Sequence, residues 1–344
     1  MTPSAAPTAS VILCYHRVAR IASDPFHLAV PPELFARHVA VIARHRPVAL
    51  TALAAEVVAG DVPPGGVAVT FDDGYVDNLR AAKPLLEAAG VPATVFVTTG
   101  ATGSPHPYWW DELEALLARG GGSPPPRALE LTVDGETRAW PPGATVSDRG
   151  TAFEVWAWLR PRPPQSIAAA MSQVRAWAGA QPAVVTDALR TMTVEELREL
   201  VDGGTIACGA HTRTHPLLGA HSAAVQRAEI GGSRDDLEAW LGTAVPAFAY
   251  PFGRRVIEYR GSSVRVVRSL GFACAVTTDP GPVTARSLRH ELPRHVVPVD
   301  LDGPAFERWL AERLAPPDGP PPLRRLGRRV RRDLRERLTP AGRP

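Results

Sequence analysis

The chain has 344 residues, 45% of them hydrophobic, and a formal net charge of +3, so it can bury a barrel-sized core and has no general excess of either charge. Its positive charge is concentrated in one tail and the overall balance is nearly neutral, whereas a nucleic-acid binder needs a basic face across its fold, which argues against that class. Three scattered cysteines, Cys14, Cys208 and Cys274, are too few for a disulfide framework, and no run reaches the ~20 apolar residues of a membrane span.

In chain order, residues 1–10 read as a flexible terminus and 11–15 as an apolar strand. Residues 32–44 have helical spacing through Leu34, Phe35, Val39 and Ile42. Strands are expected at 67–71, 93–98, 205–209, 247–250 and 273–277, with helices at 78–89, 194–201 and 223–241. Alternating strands and helices over this length predict an α/β architecture with a parallel, barrel-like sheet. Residues 108–191 break the rhythm. Pro and Gly clusters at 120–126 and 141–143 bracket a strand pair near 129–133 and 136–140, and a Trp-rich helical part follows. This region reads as an insertion over the active-site face of a domain spanning 11–315. Tyr108, Trp109 and Trp110 offer a flat apolar surface for a ligand, whereas Trp156, Trp158 and Trp177 are expected as core anchors. Residues 316–344 form a Pro-rich hinge and a tail in which Arg324, Arg325, Arg328, Arg329, Arg331, Arg332, Arg335 and Arg337 surround a stripe of Leu326, Val330, Leu334 and Leu338. Such a basic amphipathic segment suits contact with an anionic membrane surface or a partner protein.

The most informative residues are Phe71-Asp72-Asp73-Gly74, straight after an apolar strand. Desolvation and mutual repulsion oppose ionisation of adjacent carboxylates at a strand mouth, so a cation is expected there. Far downstream, His211-Thr-Arg-Thr-His215-Pro216 carries two imidazoles four residues apart. They face alike on a helical turn, while Gly209 and Pro216 favour a strand-to-loop turn instead. One carboxylate and two imidazoles make a three-ligand site for a divalent ion, with positions open for water and substrate. The second carboxylate is then free to act as a base.

Thr70-Phe-Asp-Asp-Gly-Tyr75 and His211-Thr-Arg-Thr-His215-Pro216 resemble the first two signature motifs of the polysaccharide deacetylases, the NodB-homology or carbohydrate esterase family 4 group. The resemblance implies an irregular (β/α) barrel of NodB-homology type, often with seven strands. It implies Asp72 as catalytic base, Asp73, His211 and His215 as metal ligands, and the Tyr75 N–H as oxyanion donor. Ala249-Tyr250-Pro251-Phe252-Gly253 is similar to the third motif, with Tyr250, Pro251 and Phe252 on the substrate side, but alanine stands where the family has an arginine. Arg294 is the candidate to orient the base in its place. The late Leu-x-His motif is absent from its usual position. Leu13-Cys-Tyr-His16-Arg-Val18 is similar to the N-terminal Tyr-His segment of the poly-N-acetylglucosamine deacetylase branch, which implies His16 as general acid; His290 and His295 are further candidates.

The implied reaction is hydrolytic removal of N-acetyl groups from an N-acetylated sugar or glycan, with Zn2+ expected and Co2+, Ni2+ or Mn2+ compatible. Alternatives are an O-acetyl or other amide substrate at the same site, or a non-catalytic glycan-binding protein. The N-terminal residues lack the basic and apolar blocks of a secretion signal, so the expected address is cytoplasmic, extending to the inner membrane surface through the tail, for which the implied glycan function makes a glycosyltransferase the candidate partner.

Overall fold

Seven parallel strands follow one another in space almost as they do in sequence: β1 (Val11–Tyr15), β2 (Gly66–Phe71), β3 (Ala93–Val97), β4 (Ile206–Ala210), β5 (Ala247–Ala249), β6 (Cys274–Val276) and β7 (His295–Val296). The sheet order is β6-β5-β4-β3-β2-β1-β7, and the short strand Arg46–Pro47 adds to β2. Leu292, three residues before β7, makes an isolated parallel bridge to Val276 on β6. That bridge joins the two ends of the curled sheet into an irregular (β/α) barrel. The computed structural model describes residues 9–21, 24–118, 127–141, 150–180 and 189–315. The expected flexible terminus (apart from residues 9 and 10), the 120–126 cluster, most of the 141–143 cluster and the basic tail lie outside them.

Side chains alternate across each strand, as a strand's period of two requires. Val11, Leu13, Tyr15, Val67, Val69 and Phe71 pack towards the surrounding helices in the main core. Ile12, Ala68 and Phe96 face the other way, into the barrel, where the helix Leu50–Ala59 supplies Leu50, Leu53 and Val57. Continuing the inward set of β1 leads from Ile12 through Cys14 to His16, and that of β2 from Ala68 through Thr70 to Asp72. Register then places Tyr15 opposite Phe71 and Val97 opposite Ala210, so the residues following β1, β2 and β4 gather at one rim.

The helices Pro32–Ile42, Val194–Val201 and Ala223–Leu241 lie at or close to the expected bounds. Their ends carry the local signals: Thr193 and Glu196 form a capping box, and Ser222 accepts from the Val225 N–H. The expected helix at 78–89 is split into a π turn, Asn78–Ala82, and an α-helix, Lys83–Ala88. Pro84 sits in the first turn of the second piece, where its missing N–H costs nothing.

Residues between β3 and β4 build a small core of their own. The helices Trp109–Ala118, Gly150–Leu159 and Pro164–Ala178 close over the antiparallel hairpin Leu129–Val133 and Glu136–Trp140. Leu113, Leu131, Val155, Leu159 and Val174 are buried there. Asp134 and Gly135 both have positive φ, 52° and 80°, as a tight hairpin turn needs.

Candidate active site

Asp72 and Asp73 leave β2 in a sharp turn. Asp73 and Gly74 adopt φ of 74° and 76°, which aims the two neighbouring carboxylates differently. Asp72 continues the inward side of β2 and meets Arg294, a fully buried guanidinium reaching from just before β7. Both contacts are 2.7 Å, Nη1 to Oδ1 and Nη2 to Oδ2. Arg294 is itself fixed, donating through Nε to the Thr277 carbonyl at 2.9 Å and through Nη1 to Thr70 Oγ1 at 3.0 Å. Burial pushes the Asp72 carboxyl up, but Arg294 outweighs it, with help from His211, and holds the group well below the usual carboxylate range.

Asp73 has no such partner. Its Oδ1 is buried without a hydrogen bond among the described residues and lies 3.6 Å from both His211 Nε2 and His215 Nε2. Burial, with the Asp72 and Asp111 carboxylates, pushes the Asp73 carboxyl well up. His211 follows β4, and its Nδ1 lies 2.9 Å from the Ala249 carbonyl, which assigns the proton to Nδ1 and leaves the Nε2 lone pair facing Asp73. Burial lowers both imidazoles, so both are neutral at pH 7. The helical-turn alternative for the histidines does not hold. Thr212 and His215 have φ of 66° and 56°, which no helix accommodates, and the loop is held by Glu229, whose Oε2 accepts from the Arg213 and Thr214 N–H groups at 2.9 Å.

These atoms fit a divalent cation. One carboxylate oxygen and two imidazole nitrogens lie within 4.8 Å of one another, the carboxylate oxygen lacks a partner, and one histidine is oriented by a backbone carbonyl. Cys14, His16 and Asp72 also lie within 4.8 Å of one another, but both Asp72 oxygens are taken by Arg294 and burial keeps the Cys14 thiol protonated. That group is a poor metal site.

His16 lines the same cleft as both aspartates, and burial pushes its imidazole down to about 4 against the pull of Asp72. The Tyr75 N–H lies outside the bridge to residues 190–192, which uses the Val76 N–H and the Gly74 carbonyl. The Tyr75 side chain points away from the cleft into a buried network: its hydroxyl donates to Asp111 Oδ2 at 2.8 Å and accepts from Trp110 Nε1 at 3.1 Å. Tyr108 donates to the Asp73 carbonyl at 2.6 Å. The root of the inserted region is thereby bonded to the Asp73 turn. Tyr108, expected with Trp109 and Trp110 as a flat ligand surface, is off the cleft lining and spent on the turn instead, while Asp111 is a support that sequence reasoning missed, because no local spacing links it to residue 75.

The cleft encloses about 490 Å³. Trp110 and Phe252 line it, but other expected substrate contacts do not. Tyr250 is fully buried, stacked on Tyr259 at 4.1 Å with its hydroxyl donating to the His290 carbonyl, because it continues the helix-facing side of β5 set by Phe248. Pro251 is buried beside it and off the lining. Trp109 packs on the core of the inserted region instead. His290 is spent on the Phe272 carbonyl at 2.9 Å and His295 lies against Trp309, so neither reaches the cleft. Conversely Trp156, expected as a core anchor, stands on the cleft wall.

A family model described as polysaccharide deacetylase matches residues 59–122 and 168–275, half of the chain, and the chain belongs to that family. A Bacillus subtilis (strain 168) protein, YxkH, which bears a provisional polysaccharide deacetylase name, is 30% identical over 117 residues, 33% of this chain. The matched stretch spans 40% of that relative's length. Among solved structures, the Streptococcus pyogenes deacetylase PplD in complex with acetate superposes with a TM-score of 0.58 at 19% identity, over 90% of this chain and 100% of that one. IcaB from Ammonifex degensii gives 0.57 at 19% identity, over 88% and 97%. Both share the fold.

Proposed function

We propose that this protein is a hydrolase that removes N-acetyl groups from an N-acetylated glycan, releasing acetate. The observation that carries this reading is the unpartnered Asp73 Oδ1, 3.6 Å from two neutral imidazoles and adjacent to a second carboxylate clamped by a buried arginine. Pure glycan binding needs no such pair.

Asp73, His211 and His215 would hold a divalent ion, Zn2+ by the borderline character of the donor set. Such an ion would supply Lewis acidity for a carbonyl and lower the pKa of a water. Asp72, its orientation set by Arg294, takes the proton from the attacking water. The Tyr75 N–H donates to the acetyl oxygen as negative charge grows on it. His16 passes a proton to the departing amine. Because its imidazole is neutral at rest, the proton it passes on is the one Asp72 takes from the water, handed on across the less than 4.8 Å between their polar atoms.

The test is acetate release from N-acetylated glucosamine oligomers and their O-acetylated counterparts, wild type against Asp72→Asn. The account predicts release from the N-acetyl substrate and a fall in kcat of about 100-fold or more in the variant. Release from the O-acetyl substrate alone would favour esterase chemistry at the same residues.

A further inference from the structure

Residues 123–167 fall outside the two stretches that match the family model, yet part of this segment reaches the catalytic cleft. The helix Gly150–Leu159 buries Ala152, Val155 and Leu159 in the core of the inserted region. Phe153 and Trp156, three residues apart on a neighbouring stripe, face the cleft instead. Phe153 is left 42% exposed, which packing of the insertion does not account for. Trp156 is centred in an aromatic wall, with ring centroids 5.2 Å from Phe153, 5.7 Å from Phe26 and 5.6 Å from Phe252.

The wall is pre-arranged from behind. The Arg160 guanidinium lies 4.5 Å from the Trp156 ring centroid and 5.2 Å from that of Phe252, and it is held by Glu258 at 2.8 Å. Glu258 is buried and also accepts from the Arg254 N–H at 2.8 Å. Arg160 is thus committed to a carboxylate and does not line the cleft. Among the described lining residues no lysine or arginine occurs, and the carboxylates Asp72 and Asp73 sit on the floor. Among the described residues, a phosphate or carboxylate on the ligand would find no basic side chain lining this wall, whereas a neutral ring with an apolar C–H face would find flat aromatic area.

We propose that Phe153 and Trp156, in the segment outside the family match, form with Phe26 and Phe252 a subsite for the pyranose ring next to the one bearing the acetamide. This rests on the deacetylase reading for the identity of the floor, but the wall can be tested without catalysis. Affinities of an N-acetylglucosamine tetramer and monomer are compared by calorimetry on an Asp72→Asn background, adding Phe153→Ala, Trp156→Ala or Trp156→Phe. The expected result is a tetramer Kd raised about tenfold by either alanine change, the size of one lost ring contact, with a much smaller change for the monomer and partial rescue by Trp156→Phe. Phe153 is half-exposed, so its variant keeps the test alive should Trp156→Ala fail to fold. Equal tetramer affinities in parent and Phe153→Ala would overturn the subsite. Wall-dependent tetramer binding in a protein whose wild type releases no acetate would leave the subsite standing and remove the deacetylase reading.

Discussion

Arg294 and Asp72 are joined by two 2.7 Å contacts inside a barrel, and neither can lose the other cheaply. Arg294→Ala leaves a buried carboxylate uncompensated, at a cost of about 3–5 kcal/mol in stability. Chemical denaturation measures this loss. Arg294→Lys keeps the charge but gives up the planar fork, so the fold survives with kcat lowered about tenfold or more and KM little changed. Steady-state acetate release separates the two effects. At this scale the sequence was legible where chemistry is written in adjacent letters: Asp72-Asp73 and His211 with His215 announce themselves. Arg294 was findable only as a substitute for a missing arginine, since 222 residues separate it from Asp72. Tyr250 misled because its motif position says nothing about which way the ring turns.

At the scale of elements, the site depends on loops braced by the helices behind them. Glu229, on the helix Ala223–Leu241, fixes the His211–His215 loop through two backbone N–H groups, and Arg213 is gripped by Asp236 on the same helix at 2.6 Å and 2.8 Å. Glu229→Ala is therefore expected to weaken metal affinity about tenfold while the fold persists, read by competition with a metal-sensitive dye. Gly209 on β4 has a different constraint: a Cβ there would clash with the Phe96 ring. Gly209→Ala must displace that buried ring and is expected to cost about 1–3 kcal/mol, seen as a lower denaturation midpoint. Strands and long helices were readable from period alone, because Val11–Tyr15 and Ala223–Leu241 have unbroken apolar or helical spacing. The split at residues 78–88 was not, since π and α turns share one hydrophobic pattern.

Across the whole molecule, several histidines are buried neutral. Burial lowers His38, which is stacked on Phe306 at 4.0 Å, and pushes His295 down to about 4 with the aid of Arg313. Both folded-state values lie below the unfolded value, so the unfolded chain takes up protons first. Their contribution to stability is full above about pH 6.5, falls as pH drops below it, and for His295 levels off near the folded value of about 4. Thermal unfolding at pH 7.5 and 4.5 should show this loss, and His295→Asn should reduce its slope by about 1 kcal/mol over that range. An unchanged slope would remove His295 from the account. The barrel was legible from alternating elements, whereas the coupling of the inserted region to the Asp73 turn through Tyr108 and Asp111 depends on packing between segments far apart in sequence.

The central claim is that Asp73, His211 and His215 hold one ion beside the base Asp72. The most direct measurement is acetate release by chelator-stripped protein during stepwise return of Zn2+, with bound metal determined at each step. The account predicts activity rising in proportion to bound ion and saturating at one per chain, with neither binding nor activity restored in a His211→Ala, His215→Ala variant. Full acetate release by the metal-free protein, or tight binding that survives loss of both histidines, would contradict it.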